Sequence, residues 1–284
     1  MHQIKRCQPL LGTFIEISLQ AKLPEKALIA SANIAFKEIE RVQQALNFHR
    51  KDSELSQLNM ALISAPNTTK VLSDDLATVL AFAHEIHLVS AGVYDISIAS
   101  KLMIDKHLPN HLDIPHSSSA AFGSFSDISL QGNSICSTKP VVFDLGGIAK
   151  GYAVDQAIAK LPENISGYVN AGGDMRVIDW KNQQVSIKYA RRPSALKALT
   201  LRNTALASSG SYYQAQGSQY FHPKTQRYNT IKGCISVFAN NAMQADALTK
   251  VIALMKRKDA KPILKRYGAS AIITNRFGFS RQVN

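Results

Sequence analysis

Alternating apolar and polar positions predict a series of strands along the chain. Within residues 11–19, the positions from Phe14 to Leu19 alternate after Gly12, which is typical of a strand with one polar face. Two further strands are predicted on either side of the lone tryptophan, Trp180, at residues 175–178 and 185–189. Others are predicted at residues 167–170, 233–239 and 269–274.

Apolar residues that recur every three or four positions predict the helices. Pro24 is a favourable first-turn residue, and the helix that follows runs to about residue 45. A second helix starts at Ser73, whose side chain and following acids suit a helix N-terminus, and ends near Gly92. Further helices are predicted from Ile148, over residues 242–255 with Asn240 or Asn241 as the cap, and up to Gly268.

The segment VVFDLGGIAKGYAVDQA, residues 141–157, holds the most informative pattern. Its first three residues predict a short buried strand, and Gly146 and Gly147 permit a tight turn before a helix. A helix start after glycines presents free backbone N–H groups to a phosphate, and Lys150 adds a positive charge. With the strand at 167–170, the length matches a βαβ unit. The spacing is neither GxGxxG nor GxxxxGK[ST], and an ordinary strand–helix junction also has this pattern.

Four stretches with little periodicity predict irregular structure. Residues 48–59 are polar, and residues 101–132 contain prolines and a run of serines. Residues 205–212 are small and polar, which suits a loop that lets a ligand approach its backbone, and residues 220–228 predict a turn. Because no linker divides the chain, residues 1–284 are expected to form a single domain.

Composition indicates a globular protein with an anionic partner. Of the 284 residues, 45% are hydrophobic and 19% are charged, which excludes a disordered chain. The net charge of +13 favours a nucleotide, a nucleic acid or an acidic protein as partner. The densest basic run, at residues 256–266, is typical of a solvated helix face, and no RNA-binding or zinc-finger signature accompanies it. A nucleic-acid partner is therefore not expected.

Cysteines and histidines show no metal or redox motif. The cysteines, at positions 7, 136 and 234, are odd in number and far apart, which suits a reducing compartment. The histidines at positions 107, 111 and 116 lack a carboxylate or cysteine at ligand spacing, and His84 and His87 are expected on a solvated helix face. No run of about 18 apolar residues predicts a membrane span. The expected location is cytoplasmic, or periplasmic if a leader has been removed.

An ordered series of motifs resembles the ApbE family, the FAD:protein FMN transferases. The most specific motif is DLGGIAKGYAVD at residues 144–155, followed by NAGGD at residues 170–174. The others are LGT at 11–13, DSELSQLN at 52–59, GVYD at 92–95, SSGSY at 208–212, HPKT at 222–225 and ADAL at 245–248. The resemblance covers nearly the whole chain.

The resemblance implies an α+β fold, ApbE-like and T-fold-like, with mixed sheets packed with helices and a flavin cleft between subdomains. It implies FAD as the donor substrate and Mg²⁺ as an ion that bridges the FAD pyrophosphate. In such enzymes a threonine or serine hydroxyl of an acceptor flavoprotein attacks the FMN phosphorus, and AMP leaves. Phosphoryl transfer of this kind needs positioning and charge neutralisation more than covalent chemistry.

The resemblance also implies the site residues, position by position. The metal would be held by the Asp246 carboxylate and a main-chain carbonyl near Gly147, with Thr249 as a further candidate. The catalytic candidates are Asp246, His222 and Lys150. The residues that would hold the flavin are Phe48, His49, Ser53, Asn59, Tyr94, Asp95, Lys150, Gly172, Gly173, Asp174, Ser209 and Gly210. Either Phe48 or His49 would stack on the flavin ring.

Three departures from the family pattern bear on catalysis. Lys250 stands four residues after Asp246, where many members have threonine. Either Thr249 substitutes, or the Lys250 ammonium partly replaces the metal's charge, which would weaken metal binding. Gln219 stands where a functional histidine is common, and His222 replaces an aspartate and can act as a base if it reaches the acceptor hydroxyl. The segment after Asp95 lacks the usual tryptophan–glycine stretch.

The leading expectation is therefore Mg²⁺-dependent transfer of FMN from FAD to an acceptor flavoprotein. Two alternatives remain open at this point. One is a divergent relative that binds flavin without transferring it. The other is an FAD pyrophosphatase that yields FMN and AMP.

Overall fold

The computed structural model describes most of the chain and divides it into two compact units. The described residues are 1–112, 122–179, 181, 184–188, 196–200, 204–210, 218–275 and 277–284. The large unit comprises Met1–Glu40, Lys150–His222 and Arg227–Asn284, and the small unit comprises Arg41–Ala149 and Pro223–Gln226. Predictions that concern Trp180, Tyr189, Tyr212 and His116 lie outside the described residues.

The described chain contains helices mainly in its first half and a long run of strands, over residues 166–239, in its second half. The strands are β1 (His2–Leu10), β2 (Thr13–Ala21), β3 (Lys70–Val71), β4 (Ile128–Gln131), β5 (Ser134–Ser137), β6 (Ser166–Ala171), β7 (Asp174–Ile178), β8 (Gln184–Lys188), β9 (Leu196–Thr200), β10 (Ala205–Gly210), β11 (Ser218–His222), β12 (Arg227–Ile231), β13 (Gly233–Ala239), β14 (Ser270–Asn275) and β15 (Ser280–Val283). The helices are α1 (Glu25–Leu46), α2 (Glu54–Ser64), α3 (Asp74–Val89), α4 (Ala99–Ile104), α5 (Ala149–Ala159), α6 (Ala242–Leu254) and α7 (Arg257–Arg266), with a 3-10 helix at Phe125–Asp127.

An eight-stranded antiparallel sheet organises the large unit. Its strand order is β1-β2-β6-β7-β10-β13-β14-β15. Strands β6 and β7 form a hairpin across Gly172 and Gly173, and β10 pairs with β7 on one side and β13 on the other. Helix α6 packs against β7, β10 and β13. The centre of the sheet therefore carries the NAGGD turn beneath the helix that contains Asp246.

The burial of alternate residues explains the strands that the sequence predicts. In β2 the side chains of Ile15, Ile17 and Leu19 are fully buried, whereas Phe14 is exposed. In β6 every second residue is buried in the same way. Burial of one face of each strand is the main force that fixes their register, because a shift by one residue would expose the whole apolar set.

The small unit contains more helix than strand. Helices α2 and α3 begin after Ser53 and Ser73, whose hydroxyls accept hydrogen bonds from the amides of Ser56 and Leu76. A three-stranded antiparallel sheet, in the order β3-β5-β4, accompanies them. In the described part of the chain, no helix has the length and apolarity that a membrane crossing needs.

Most of the predicted helices and strands are confirmed. Helix α1 begins directly after Pro24, α3 begins after Ser73, and Asn241 caps α6 by accepting a hydrogen bond from Gln244 N–H. Helix α7 ends shortly before Gly268, whose φ of 58° is the left-handed conformation that favours glycine after a helix. These elements have strong local signals, so tertiary contacts do not need to be known to predict them.

The predicted strand at residues 141–143 is wrong. These residues are fully buried, but they form only a single bridge, between Ile98 and Val142. Asn59 replaces a neighbouring strand: its amide donates to the Phe143 carbonyl and accepts from the Phe143 N–H, both at 2.9 Å. Because the segment joins no sheet, the predicted βαβ unit is also wrong.

Three stretches predicted as irregular contain regular structure. Residues 205–210 form β10 in the centre of the sheet, where the hydroxyls of Ser208 and Ser236 contact each other at 2.9 Å across the β10–β13 pair. The small polar residues of this strand therefore find partners without water. Residues 48–59 contain the start of α2, and residues 101–132 contain most of α4, the 3-10 helix and β4. The predicted turn at 220–228 joins β11 and β12 into a hairpin.

Candidate functional site

Two buried carboxylates and two lysines meet in the large unit, and we call Lys150, Asp174, Asp246 and Lys250 the charge cluster. Lys150 Nζ lies 2.7 Å from Asp174 Oδ2 and 3.6 Å from Asp246 Oδ2. Lys250 Nζ pairs with Asp246 Oδ1 one helical turn earlier on α6. Asp174 and Asp246 are 3% and 0% exposed, and buried carboxylates persist as anions only when they are paired.

Close packing of α5 against α6 positions the charge cluster. A Cβ atom on Gly151 would overlap the Ala242 carbonyl oxygen, so only glycine allows the two helices to approach this closely. The approach lets the Gly151 N–H donate a hydrogen bond to Asp246 Oδ2 at 3.3 Å. The glycine after Lys150 in the DLGGIAKGYAVD motif therefore serves the Asp246 carboxylate, a role that the sequence did not reveal.

The last residue of the same motif, Asp155, holds the start of α6. Its carboxylate accepts hydrogen bonds from the N–H groups of Ala242 at 2.9 Å and Met243 at 2.8 Å. Arg176 on β7 donates to the same carboxylate at 2.9 Å. Asp155 thus connects α5, β7 and α6, the three elements that carry the charge cluster. The motif contains this aspartate, but its role depends on a contact with α6 that the sequence does not show.

Burial and charge act in opposite directions on the ionisable groups of the cluster. Burial raises the pKa of Asp174, and the neighbouring Asp246 charge raises it further. Burial alone would also raise the pKa of Asp246, but the Lys150 and Lys250 ammonium groups outweigh burial and hold this pKa below its ordinary value. Burial would lower the pKa of Lys150, but the two carboxylates raise it well above its ordinary value. Lys150 is therefore cationic at neutral pH.

The glycine turn of NAGGD lies beside the charge cluster, because Asp174 follows it directly. Gly172 and Gly173 have φ values of 62° and 109°, and a Cβ on Gly172 would overlap the Thr13 side chain. Glycine is needed at both positions for this turn. The Gly173 N–H donates to Asn170 Oδ1 at 2.9 Å, so a phosphate that used this amide would have to displace the asparagine side chain.

Thr249 and Ser209 contact each other beside the cluster. The Thr249 hydroxyl donates to the Asp246 main-chain carbonyl at 2.7 Å and lies 3.0 Å from the Ser209 hydroxyl. Thr249 is fully buried. Both contacts of its hydroxyl are therefore within the protein, one to the backbone of α6 and one to Ser209 of β10. Gly210 is the next residue of β10 and pairs with Cys234 of β13.

His222 lies in the large unit at the end of β11. It is half-buried and pairs with Arg227 of β12. The hairpin of β11 and β12 contacts α6, the helix that carries Asp246. Gln219 is exposed on the same strand, opposite Thr230.

The small unit contains the remaining candidate residues, and several of them have structural roles. Ser53 caps α2, and Asn59 is hydrogen-bonded to both main-chain groups of Phe143. Phe48 is 3% exposed, whereas His49 is exposed to solvent. In this structure His49 is therefore the more accessible of the two rings that the resemblance offers for flavin stacking.

Two histidines in the small unit occupy positions that the sequence did not predict. His87 is buried rather than solvated: its Nδ1 lies 3.0 Å from the Tyr94 carbonyl, and Asp95 Oδ2 lies 3.6 Å from the same nitrogen. The aspartate also accepts hydrogen bonds from the Ser97 N–H at 2.8 Å and hydroxyl at 2.5 Å. His111 packs edge-on against Phe48 with ring centroids 5.0 Å apart. No periodic signal in residues 101–112 pointed to His111.

Gly147, the proposed carbonyl ligand, lies in the turn before α5. Its neighbour Gly146 donates its N–H to Asp144 Oδ1 at 3.0 Å. Neither glycine is among the residues with positive φ in the described chain. The turn therefore does not require a left-handed backbone at either glycine.

The donor set around Asp246 does not fit a Mg²⁺ ion. Mg²⁺ requires an octahedral shell of oxygen ligands. Asp246 Oδ1 is paired with the Lys250 ammonium, and Oδ2 accepts from Gly151 N–H and faces Lys150. In addition, the described residues contain no group of three or more histidine, cysteine or acidic side chains that could hold a metal. No step of the reaction is therefore assigned to a metal ion.

Comparison with known proteins points to one family. The family model described as the ApbE family matches residues 11–273. A protein of Haemophilus influenzae named FAD:protein FMN transferase is 28% identical over 275 residues, which covers 86% of this chain and 79% of that protein. A Vibrio cholerae protein of the same name is 25% identical over 279 residues and matches 89% of this chain and 81% of its own length.

Solved structures agree on the fold. The flavin transferase ApbE from Vibrio cholerae superposes with a TM-score of 0.79 at 21% identity, covering 99% of this chain and 96% of that one. The ApbE protein from Thermotoga maritima gives a TM-score of 0.79 at 21% identity, covering 100% and 97%. The expected mixture of helices and sheets is confirmed, and the sheets are antiparallel throughout the described strand pairs.

Proposed function

Since the chain belongs to the ApbE family, we propose that it is a flavin transferase that moves FMN from FAD to an acceptor flavoprotein. The acceptor group is a threonine or serine hydroxyl, and AMP is released. The Haemophilus influenzae and Vibrio cholerae relatives that carry the name FAD:protein FMN transferase support this proposal.

The observation that carries the proposal is the charge cluster. Transfer of a phosphoryl group depends on neutralising the phosphate oxygens and on aligning the attacking and leaving oxygens. The side chains of Lys150 and Lys250 are 29% and 18% exposed, and the paired carboxylates fix the position of each ammonium group. A lysine ammonium has three donors, and a phosphate oxygen is among its strongest acceptors.

The transfer is a displacement at the FMN phosphorus. The acceptor hydroxyl oxygen forms the new P–O bond, and the bond from phosphorus to the bridging oxygen of the diphosphate breaks. AMP leaves with the bonding electron pair, and Lys150 and Lys250 offset the negative charge that develops on its phosphate. The hydroxyl proton passes to a base, for which His222 is our candidate.

The test is to incubate the protein with FAD and a candidate acceptor flavoprotein, and to follow the acceptor mass and free AMP. Equimolar FMN attachment and AMP release support transfer. FMN and AMP without acceptor labelling would identify an FAD pyrophosphatase instead. FAD binding without turnover, across several acceptors, would identify a flavin-binding protein without transfer activity. An acceptor in which the target hydroxyl is removed is the matched control.

A further inference from the structure

Lys250 stands where a metal ion would have to bind Asp246. Its Nζ pairs with Asp246 Oδ1 and also lies 3.3 Å from the Asp246 main-chain carbonyl oxygen. The Asp246 carboxylate and main-chain carbonyl thus direct two oxygens at one ammonium group. This is the arrangement in which oxygen ligands hold a cation.

The second oxygen of Asp246 is occupied as well. It accepts from the Gly151 N–H at 3.3 Å and lies 3.6 Å from Lys150 Nζ. A divalent ion at either oxygen would face an ammonium group within ion-pair distance, and like charges at that distance in a buried site repel strongly. Binding the ion would require Lys250 to leave its carboxylate and expose or neutralise its charge.

The charges of the cluster balance without an added ion. Two carboxyl groups, Asp174 and Asp246, face two lysine side chains, Lys150 and Lys250, so the acids do not outnumber the bases. A metal site built on buried carboxylates normally has a surplus of negative charge that the ion neutralises. Thr249 does not restore such a site, because its hydroxyl donates to the main chain and lies against Ser209.

We propose that the Lys250 ammonium group replaces a divalent metal ion at Asp246, and that this chain binds the diphosphate of FAD without Mg²⁺. The identity of the ligand, FAD, rests on the proposed function. The claim about metal binding is independent of it. Asp246 anchors the ammonium through two oxygens, which leaves the third N–H of Lys250 for a phosphate oxygen.

The first experiment measures metal binding in the absence of flavin, with Mn²⁺ as the probe for electron paramagnetic resonance. We expect no stoichiometric Mn²⁺ on the wild-type protein and one bound ion on Lys250→Thr. A stoichiometric Mn²⁺ ion on the wild-type protein that Asp246→Asn removes would overturn the proposal. This result does not depend on FAD, so it separates failure of the metal claim from failure of the proposed function.

The second experiment measures FAD binding by flavin fluorescence in EDTA and in excess Mg²⁺. We expect the wild-type dissociation constant to be the same in both solutions. Lys250→Met removes the charge with little change in side-chain length, and we expect it to weaken FAD binding about tenfold to a hundredfold in EDTA, since hydrogen bonds to charged groups carry that much. Lys250→Thr should also bind FAD weakly in EDTA, and it should regain most of its FAD affinity when Mg²⁺ is added. Lys256→Met, on the exposed N-terminus of α7, is the matched control and should bind as the wild type does.

Stronger FAD binding by the wild-type protein in Mg²⁺ than in EDTA, by about tenfold or more, would contradict the proposal. Circular dichroism of each variant verifies that it is folded. If Lys250→Thr does not fold, the wild-type comparison in EDTA and Mg²⁺ still decides the question, because it requires no variant.

Discussion

Asp155 accepts a hydrogen bond from the backbone N–H of Met243 at 2.8 Å, and a second from Ala242 at 2.9 Å. These bonds join the middle of α5 to the first turn of α6, one turn before Asp246. The most specific motif of the sequence thus fixes the position of a residue about 90 positions later in the chain. Two residues of this motif, Gly151 and Asp155, contact α6. Gly151 donates its N–H to the Asp246 carboxylate of that helix.

Removal of the Asp155 carboxylate should destabilise α6. We expect Asp155→Ala to lower the free energy of unfolding by about 1–2 kcal/mol, which is typical for loss of a helix N-terminal cap. FAD binding should weaken as well, because Asp246 and Lys250 are carried by the same helix. Urea denaturation and FAD titration measure the two effects. The exposed acid Glu163 is the control, and Glu163→Ala should change stability by less than about 0.5 kcal/mol. Full stability of Asp155→Ala would show that α6 does not depend on this contact.

Gly151→Ala tests the close packing of α5 and α6. The added methyl group would overlap the Ala242 carbonyl oxygen, so the helices must separate. We expect a loss of about 1–3 kcal/mol in the free energy of unfolding, as for other overpacked sites. Thermal and urea unfolding provide the measurement, with Ala159→Ser at the exposed end of α5 as the control. A variant as stable as the wild type would mean that the helices are farther apart than described.

Asn59→Ala tests whether this residue acts through structure. The substitution leaves the buried N–H and C=O groups of Phe143 without their hydrogen bonds, which should cost about 2–4 kcal/mol. Gln57→Ala, one exposed position on the same helix, should change stability little. Denaturant unfolding compares the two variants. An unchanged stability of Asn59→Ala, combined with lost FAD binding, would instead assign Asn59 to the flavin.

The Asp246 ion pairs predict a specific acid dependence of stability. Lys150 and Lys250 hold the Asp246 pKa below its ordinary value of 3.8, although burial opposes them. The ionised carboxylate therefore stabilises the fold above pH 3.8, and this contribution is lost as the pH falls through the lower, folded-state pKa. Wild-type stability should fall more steeply than that of Asp246→Asn over this range. The test is to measure the unfolding free energies of both proteins between about pH 2 and pH 6. If the two proteins lose stability equally as the pH falls, the Asp246 ion pairs do not stabilise the fold in this way.

The ionised carboxylate of Asp174 is expected to have the opposite effect on stability from that of Asp246. Burial and the Asp246 charge raise its pKa, so its ionisation opposes folding above pH 3.8. Asp174→Asn should therefore not pay the free energy of a buried ionised carboxylate at neutral pH. The substitution also weakens the ion pair of Lys150. The same unfolding titration, performed on this variant, should show a stability that falls at least as steeply toward acid as that of the wild type. A shallower acid dependence would mean that Asp174 is stabilised as an anion by the lysines.

Sequence patterns predicted elements with strong local signals and missed those defined by distant contacts. Pro24 and Ser73 marked helix starts correctly, because capping acts within one turn. Residues 205–210 misled the prediction, since small polar residues satisfied across a sheet have the composition of a loop. Residues 141–143 misled it in the opposite direction, because a buried extended segment can be held by the side chain of Asn59 rather than by a strand.

The candidate site was partly predictable for the same reason. Motif order selected Lys150, Asp174 and Asp246, and the structure brings these three together. The contact between Lys250 and Asp246 follows from their spacing of four residues on one helix. By contrast, the roles of Gly151 and Asp155 depend on how α5 packs against α6, which no local pattern encodes.

The most direct test of the account measures, by flavin fluorescence, how tightly the wild-type protein and Lys150→Gln bind FAD and riboflavin. Riboflavin has the isoalloxazine ring but no phosphate, so it does not use the charge cluster. If the cluster binds the FAD diphosphate, Lys150→Gln should weaken FAD binding by about tenfold to a hundredfold and leave riboflavin binding unchanged. Equal FAD affinity in both proteins, or an equal loss for both ligands, would contradict the account.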